Sequence, residues 1–571
     1  MKKYITILGL AAALFTGCSD ERVLDKEPLS LITDAQIWQN EDLVNAYLND
    51  LYLNSRFLNT SGQSGFNCGL IGAMGGEFRT MGPWQDPYKA SVEKVIDETG
   101  AHWQLNYFQG PYYISDRVAE MIFRLETEST LPEEIIKQKI AEGRFLRAFA
   151  YFHAVKRYGG VPLIDYRQDF EDLESLQVPR NSEQEIYDFI ASEMDAIADD
   201  LSVSIDQTSG RPSKWAALAL KSRAMTYAGS IGEYGTVQLD GLLGIANPDT
   251  YWQAAYDTSK QIIEESGHAL YNKGNDKSKN FQDLFLVENN SEVIFSERFD
   301  EGLLRTHSFG ELTMPSGFEA VWGSNFPVMY EMVQLFDFAD GTSAANVDIT
   351  RAEGWSSDEL FGNRDPRFAA SIFYPETNWQ GDKVYFHSNT TNWDSSSEWP
   401  KAAPNRNKNR TGFHLRKRLD ESRQLPTGGL DDTDYIVFRL GEIYLNMAEA
   451  AFHLGMTGEA LDAINMIRDR AGMPARVGLT WDNIMQERQV ELFAEDHRYW
   501  DLRRWRTAVE TLDGKRLKGL QYVYNQDEGT YTVKFKNAEG KSRIFQERHY
   551  YLPFGLARLA DAPALVENPG Y

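Results

Sequence analysis

The sequence predicts a mainly α protein: a tetratricopeptide-type helical repeat scaffold interrupted by a loop-rich insert and completed by a small β-hairpin region. Three observations predict it. Amphipathic helical periodicity recurs in pairs of segments joined by short turns, and neither helix of such a pair can bury its apolar stripe alone. Between about Asn272 and Asp434 that periodicity gives way to short apolar runs broken by Gly, Pro, Asn and Asp. Two alternating runs, Gly519 to Tyr524 and Tyr531 to Phe535, flank a Gly-containing turn and read as a hairpin within residues 518–550.

The helices follow in order. From Leu131-Pro132 to Tyr158, Ala141, Phe145, Ala148, Phe152 and Val155 mark one face at four-three-four-three spacing. Gly159 and Gly160 stop that helix and Pro162 prevents its resumption. The next opens on a Ser182-x-x-Glu185 capping box and carries Ile186, Ile190, Met194, Ile197 and Leu201. Further helices are expected at Asp34 to Asn54, Tyr107 to Leu125, Ser213 to Ser230, Asp249 to Ser266, Tyr435 to Leu454, Glu459 to Arg470 and Trp481 to Arg506, with a brief one at Met329 to Phe336. The best single repeat match is Leu440-Gly441-x-x-Tyr444 followed by Leu454-Gly455 and Ala460.

Composition narrows the function. The 571 residues carry 58 Lys plus Arg against 84 Asp plus Glu, a net charge of −26, which argues against nucleic acid as a partner because a duplex binder needs a cationic face. Apolar residues at 42 % and charged residues at 25 % fit an ordinary globular protein. Two cysteines, Cys18 and Cys68, exclude a disulfide framework and a four-Cys zinc site. Aromatics reach 13 %, more than core filling demands.

At the amino end, Lys2 and Lys3 precede an apolar stretch from Ile5 to Phe15 that is too short to span a bilayer, and Thr16-Gly17-Cys18 is a small-residue cleavage site ending in cysteine. The segment resembles a bacterial lipoprotein signal, although Phe15 stands where Leu is usual. It implies a signal peptide over residues 1–17 and lipidation of Cys18, with acyl chains anchoring the protein at about 0.8 kcal/mol per buried methylene. Cys68 is then a lone free thiol. Ser19-Asp20-Glu21 resembles the surface-export signal of Bacteroidetes lipoproteins.

Ala141-Glu142-Gly143-Arg144-Phe145-Leu146-Arg147-Ala148, leading into Tyr158-Gly159-Gly160-Val161-Pro162-Leu163, is similar to the signature of the SusD/RagB family. Further matches are Gly210-Arg211-Pro212-Ser213, Arg364-Asp365-Pro366-Arg367-Phe368, Arg439 to Leu445 with Ala448-Glu449-Ala450, and the terminal Glu567-Asn568-Pro569-Gly570-Tyr571. Three positions depart: Asp496 stands where the family usually has Gly, Leu552-Pro553-Phe554 replaces Pro-Ile-Pro, and residues 103–117 lack an Asn common after the family's Trp and Tyr pair.

The resemblance implies a SusD-like fold in one compact unit, with an N-terminal helical region at 18–271 and a C-terminal region at 272–571 that holds the insert (272–434) and the closing helices (435–510). It implies a glycan-binding lipoprotein, lipid-anchored on the outer-membrane surface, that captures oligo- or polysaccharide and delivers it to a TonB-dependent channel of the SusC type. No catalytic residue, metal or cofactor is implied. Two other readings are a surface polysaccharide hydrolase, which needs two carboxylates converging at about 5 to 10 Å beside an aromatic platform, and a peptide-binding RagB-type receptor. A pure helical-repeat interaction protein would bury the loop tryptophans in an interface.

The residues agree with a role without chemistry. The nine histidines form no His-Glu-x-x-His, and Gly-x-Ser-x-Gly is absent. The cluster Arg498, Trp500, Asp501, Arg503, Arg504, Trp505 has the spacing of intrahelical pairing and core contact. Of thirteen tryptophans, Trp38, Trp103, Trp215, Trp252, Trp481, Trp500 and Trp505 fall on expected helices, while Trp84, Trp322, Trp355, Trp379, Trp393 and Trp399 fall in loop-like sequence. An exposed indole is costly unless covered, and a sugar ring offers an apolar C–H face of matching size. Burying roughly 50 to 100 Å² per platform contributes about 1 to 3 kcal/mol before hydroxyl desolvation, so two or three platforms are needed.

Family members place such aromatics after the first helix and before a middle Asp-Gly element, here Gly65 to Tyr88 and Phe318 to Phe326 ahead of Asp340-Gly341. The expected platforms are therefore Trp84, then Trp322, then Trp379 and Trp393. Glu77, Arg79, Gln85, Asp86 and Asn325 are the expected hydrogen-bonding partners.

Overall fold

The computed structural model describes residues 34–571 except 56–66, 80–95, 102–104, 304, 316–317, 319–322, 388, 391–409, 424–428 and 526. Helices dominate. The first expected helix is two: α1 (Asp34–Ile37) and α2 (Glu41–Asn54), separated because the Asn40 side chain turns back to accept from the N–H groups of Asp42 and Leu43 as an N-cap. After α3 (Asn67–Gly75) come α4 (Gln109–Thr127), α5 (Glu133–Tyr158), α6 (Glu183–Ile197), α7 (Lys214–Tyr234) and α8 (Pro248–Glu265). The Ser182 capping box is formed: Glu185 N–H donates to Ser182 Oγ at 3.1 Å, and Ser182 N–H to the Glu185 carboxylate at 2.7 Å.

Helix α5 is buried almost all round from Ala141 to Tyr158, which makes it the central element. Its stop depends on two glycines used differently. Gly159 takes φ +70, and Gly160 packs so closely that a Cβ would lie 2.1 Å from the Asn181 carbonyl.

Consecutive helices from α4 to α8 pack in series, as a repeat scaffold requires, and the series resumes after the insert: α9 (Leu440–His453) lies on α8, and α10 (Thr457–Ala471) on α9. The chain between α8 and α9 therefore leaves the helical stack and returns to it. Much of that excursion builds a second apolar core around Phe78, Phe326, Val328, Phe361 and Phe413, apart from the helical core of Phe145, Phe149, Trp252 and Ile443.

Two expected helices are corrected. Residues expected to begin the helix at Tyr435 form strand β2 (Tyr435–Arg439), antiparallel to β1 (Val293–Glu297), before α9 starts. The run Tyr-Ile-Val-Phe is apolar on both faces and β-branched or aromatic, so a fully buried strand accommodates it better than a one-faced helix. The span Trp481 to Arg506 divides into α11 (Trp481–Glu491) and α12 (Arg498–Arg504). Between them Ala494 and Asp496 adopt φ of +61 and +64, which no helix can pass through. The brief helix at Met329 is shorter than expected, Tyr330–Val333. The hairpin forms from β3 (Lys518–Asn525) and β4 (Thr530–Asn537).

Beneath these elements lies a buried ionic lattice. Arg439 bridges Glu292 at 2.8 Å, Glu491 at 2.7 Å and Glu495 at 2.7 Å, while Lys417 meets Glu495 at 2.7 Å. Arg367 reaches Asp365, Glu487 and Glu491, and Arg470 closes on Glu491. Gly441 gives the lattice room, since a Cβ there would lie 2.2 Å from Arg439 Nη1. A second buried set joins Asp501 to Arg488 and Arg504, and Arg504 and the Trp505 indole N–H to Glu449. The Arg- and Trp-rich cluster of the last helix is thus scaffold pairing, though Asp501 pairs with Arg504 and Arg488, while Arg498 bonds the Gly75 carbonyl.

Candidate ligand site

Three separated segments meet in one short backbone ladder. Phe78 bridges Val328, with Arg79 N–H donating to the Pro327 carbonyl at 2.8 Å and Met329 N–H to the Glu77 carbonyl at 2.9 Å. On the other side Pro327 bridges His414, with Val328 N–H donating to Phe413 at 3.2 Å and Leu415 N–H to Phe326 at 3.1 Å. Phe78 packs on Phe326 and Phe493, fixing the ladder to the second core.

The consequence is topological. The chain leaves this ladder at Arg79 toward Trp84, Gln85 and Asp86, enters it at Asn325 from Trp322, and reaches it at Phe413 after the stretch that holds Trp393. Trp84, Trp322, Trp393, Gln85 and Asp86, like Cys18, lie outside the described residues. What the described part provides is a common base that the three segments share.

The polar residues expected at the site are buried at that base. Glu77 is 1 % exposed, Arg79 4 % and Asn325 4 %. Glu77 accepts the Ala494 N–H on Oε1 at 3.1 Å while its Oε2 has no hydrogen-bond partner among the described residues, and burial pushes its carboxyl up to about 7 against the pull of the Ala494 N–H, Arg498 and Lys417. Lys536 is pushed down to about 8 by burial beside Arg410 and Arg79, so cationic charge is concentrated on this side of the hairpin. Glu77 is thus placed to hold the ladder against Ala494, not to reach a ligand.

Trp379 is corrected. It is 1 % exposed, on the short strand Thr377–Trp379, with its ring edge-on to Phe373 at 5.2 Å, so neither face is open to a sugar. The signal in the sequence is the Gln380-Gly381 turn, which makes residues 377–384 a tight hairpin whose alternate positions Thr377, Trp379 and Val384 turn into the core. Trp355 is half-buried, its ring covered by the Arg351 guanidinium at 3.3 Å and its indole N–H given to the Ile349 carbonyl. Of the tryptophans expected on helices, Trp38, Trp215, Trp252, Trp500 and Trp505 are core residues, and Trp481 is half-buried between Tyr234 and Phe452; Trp103 lies outside the described residues.

Residues 291–571 match the family model described as the SusD family, and residues 78–225 match one described as starch-binding associating with outer membrane. The chain belongs to the SusD-like family. A SusD-like protein of Bacteroides ovatus is 25 % identical over 95 % of this chain and 88 % of its own. The starch-binding protein SusD of Bacteroides thetaiotaomicron is 24 % identical over 66 % of each. Among solved structures, a SusD-like protein of Bacteroides fragilis superposes with a TM-score of 0.74 at 25 % identity, covering 96 % of this chain and all of its own. This SusD-like chain therefore shares its helical scaffold and its excursion with a known architecture.

Proposed function

We propose that this SusD-like protein is a cell-surface glycan receptor: lipid-anchored through Cys18 in the outer membrane, it captures oligo- or polysaccharide on its loop face and delivers it to a SusC-like TonB-dependent channel against which its helical face docks. The observation that carries the reading is the three-segment ladder, which supports placing the loops of Trp84, Trp322 and Trp393 side by side. Single indole platforms bind sugars weakly, and several on one base bind usefully. The starch-binding description of the matching family model and of the Bacteroides thetaiotaomicron relative supports carbohydrate as the ligand. Capture and delivery need no bond to be broken, so no residue is assigned a catalytic role.

The test is calorimetry of the chain from residue 19 onward against plant, fungal and host polysaccharides, with Trp84→Ala and Trp322→Ala in parallel. One polymer whose affinity falls at least about tenfold in either variant, a loss of about 1.4 kcal/mol, supports the reading. Binding of peptides and of no glycan would replace it with a peptide receptor, and release of shortened product would replace it with a hydrolase.

A further inference from the structure

A small polar cavity of about 30 Å³ lies between α5, α7, β2 and the turn before α12, lined among others by Lys156, Arg223, Tyr227, Asp496, His497 and Trp500. It has room for one or two water-sized occupants. Lys156 sits at its wall. Although deep in the molecule, this residue is only half-buried by surface, because its side chain fronts the empty space. Its ammonium has no hydrogen bond or ion pair with a described residue and rests over the rings of Trp500 at 4.6 Å and Phe152 at 5.1 Å.

The surroundings are rich in positive charge. Three cations crowd one indole, Lys156 at 4.6 Å, Arg157 at 4.8 Å and Arg503 at 5.0 Å from the Trp500 ring. The hydrogen bonds of Arg503 go to the carbonyls of Arg157 and Tyr550, while its Nε and Nη1 have no partner among the described residues. The Trp500 indole N–H is buried and likewise without a partner among the described residues. Arg223 is held by Glu442, and Glu495 is occupied by Arg439 and Lys417, so neither cancels the excess. Burial, and then Arg157 and Arg223, push Lys156 well below the usual amine range; burial, and then Arg223 and Arg488, push His497 down.

The one unengaged carboxyl oxygen in the lining is Asp496 Oδ1, whose companion accepts the Tyr435 hydroxyl at 3.0 Å. Burial pushes this acid up to about 8, despite the pull of Arg418. The cations around this donor-rich space, Lys156, Arg157 and Arg503, outnumber the one carboxyl of its lining that is not already paired with another cation.

We propose that this cavity is a structural site for a small monovalent anion of the halide class, held by the Lys156 ammonium and capped by donors of the lining. The proposal does not depend on which ligand the protein captures.

Crystals of the protein from residue 19 onward, grown in sodium bromide, test it through the bromine anomalous signal. A peak in the cavity within hydrogen-bonding reach of Lys156 Nζ is expected. Melting in sodium chloride should exceed melting in sodium gluconate of equal ionic strength by a few degrees, and Lys156→Met should abolish the difference. Water alone in the cavity, bromide only elsewhere, or equal melting in the two salts would overturn the site. The bromide map needs no variant, so the proposal stays decidable if Lys156→Met fails to fold.

Discussion

Glu491 Oε1 lies 2.7 Å from Arg439 Nη1, and it is the point where the insert, strand β2 and the closing helices are tied together. Arg367 and Arg470 converge on the same carboxylate, which they hold well below the usual range even though burial opposes it. Glu491→Gln leaves three guanidiniums deprived of their shared charge, so a loss of about 3 to 5 kcal/mol in unfolding free energy is expected, read by denaturant titration.

Acid should dissolve the same lattice. Burial raises the Glu495 carboxyl, but Arg439 and Lys417 outweigh it and bring it down to about 2. A depressed folded pKa contributes stability that is complete above the unfolded value of 4.5 and is lost as pH falls toward 2. Melting temperature should therefore decline steeply between about pH 4.5 and 2, and Glu495→Gln, less stable at neutral pH, should decline less over that interval.

Asp496 behaves in the opposite sense. Its folded value of about 8 exceeds the unfolded value of 3.8, so the folded state retains a proton that the unfolded state has released, and stability falls as pH rises between those values. Asp496→Asn keeps the bond with Tyr435 and tolerates φ +64, and should stabilise the protein by roughly 2 to 5 kcal/mol at pH 9 with the gain vanishing near pH 4. A gain independent of pH would refute the account.

Trp379 and the loop tryptophans should separate by phenotype. Trp379→Ala opens a cavity against Phe373 and should cost about 3 to 5 kcal/mol of stability while leaving glycan affinity unchanged in calorimetry of the folded fraction. Trp84→Ala should show the reverse.

Ser182→Ala removes the side-chain acceptor of α6 and should cost about 1 kcal/mol, visible as a shift in the denaturation midpoint with an unchanged slope.

Much of the helical scaffold was legible because its signals are local. Periodicity located α4 to α8 within a few residues, and Ser182 and Gly159 named their own boundaries. The errors fell where a local pattern met a non-local partner. Tyr435 to Phe438 lacks the one-sided stripe of an exposed helix, and only pairing with β1 makes it a strand. At the break, the Ala494 N–H that no longer serves a helix is given to Glu77, more than 400 residues earlier. Asp496 marks the same break: Gly is usual at this position in the resemblance, and the φ of +64 explains why.

The sequence by itself determined the scaffold class, the place of the excursion, the family and the absence of a duplex-binding charge balance, because each is written in spacing, composition or contiguous motif. Only the tertiary structure decided which aromatics are spent in the core and which segments share a base. Trp379 and Trp355 look like Trp84 in a string of loop residues, yet one is sealed by a hairpin and the other covered by an arginine. Burial and convergence are properties of contacts between residues hundreds of positions apart, and no local pattern encodes them.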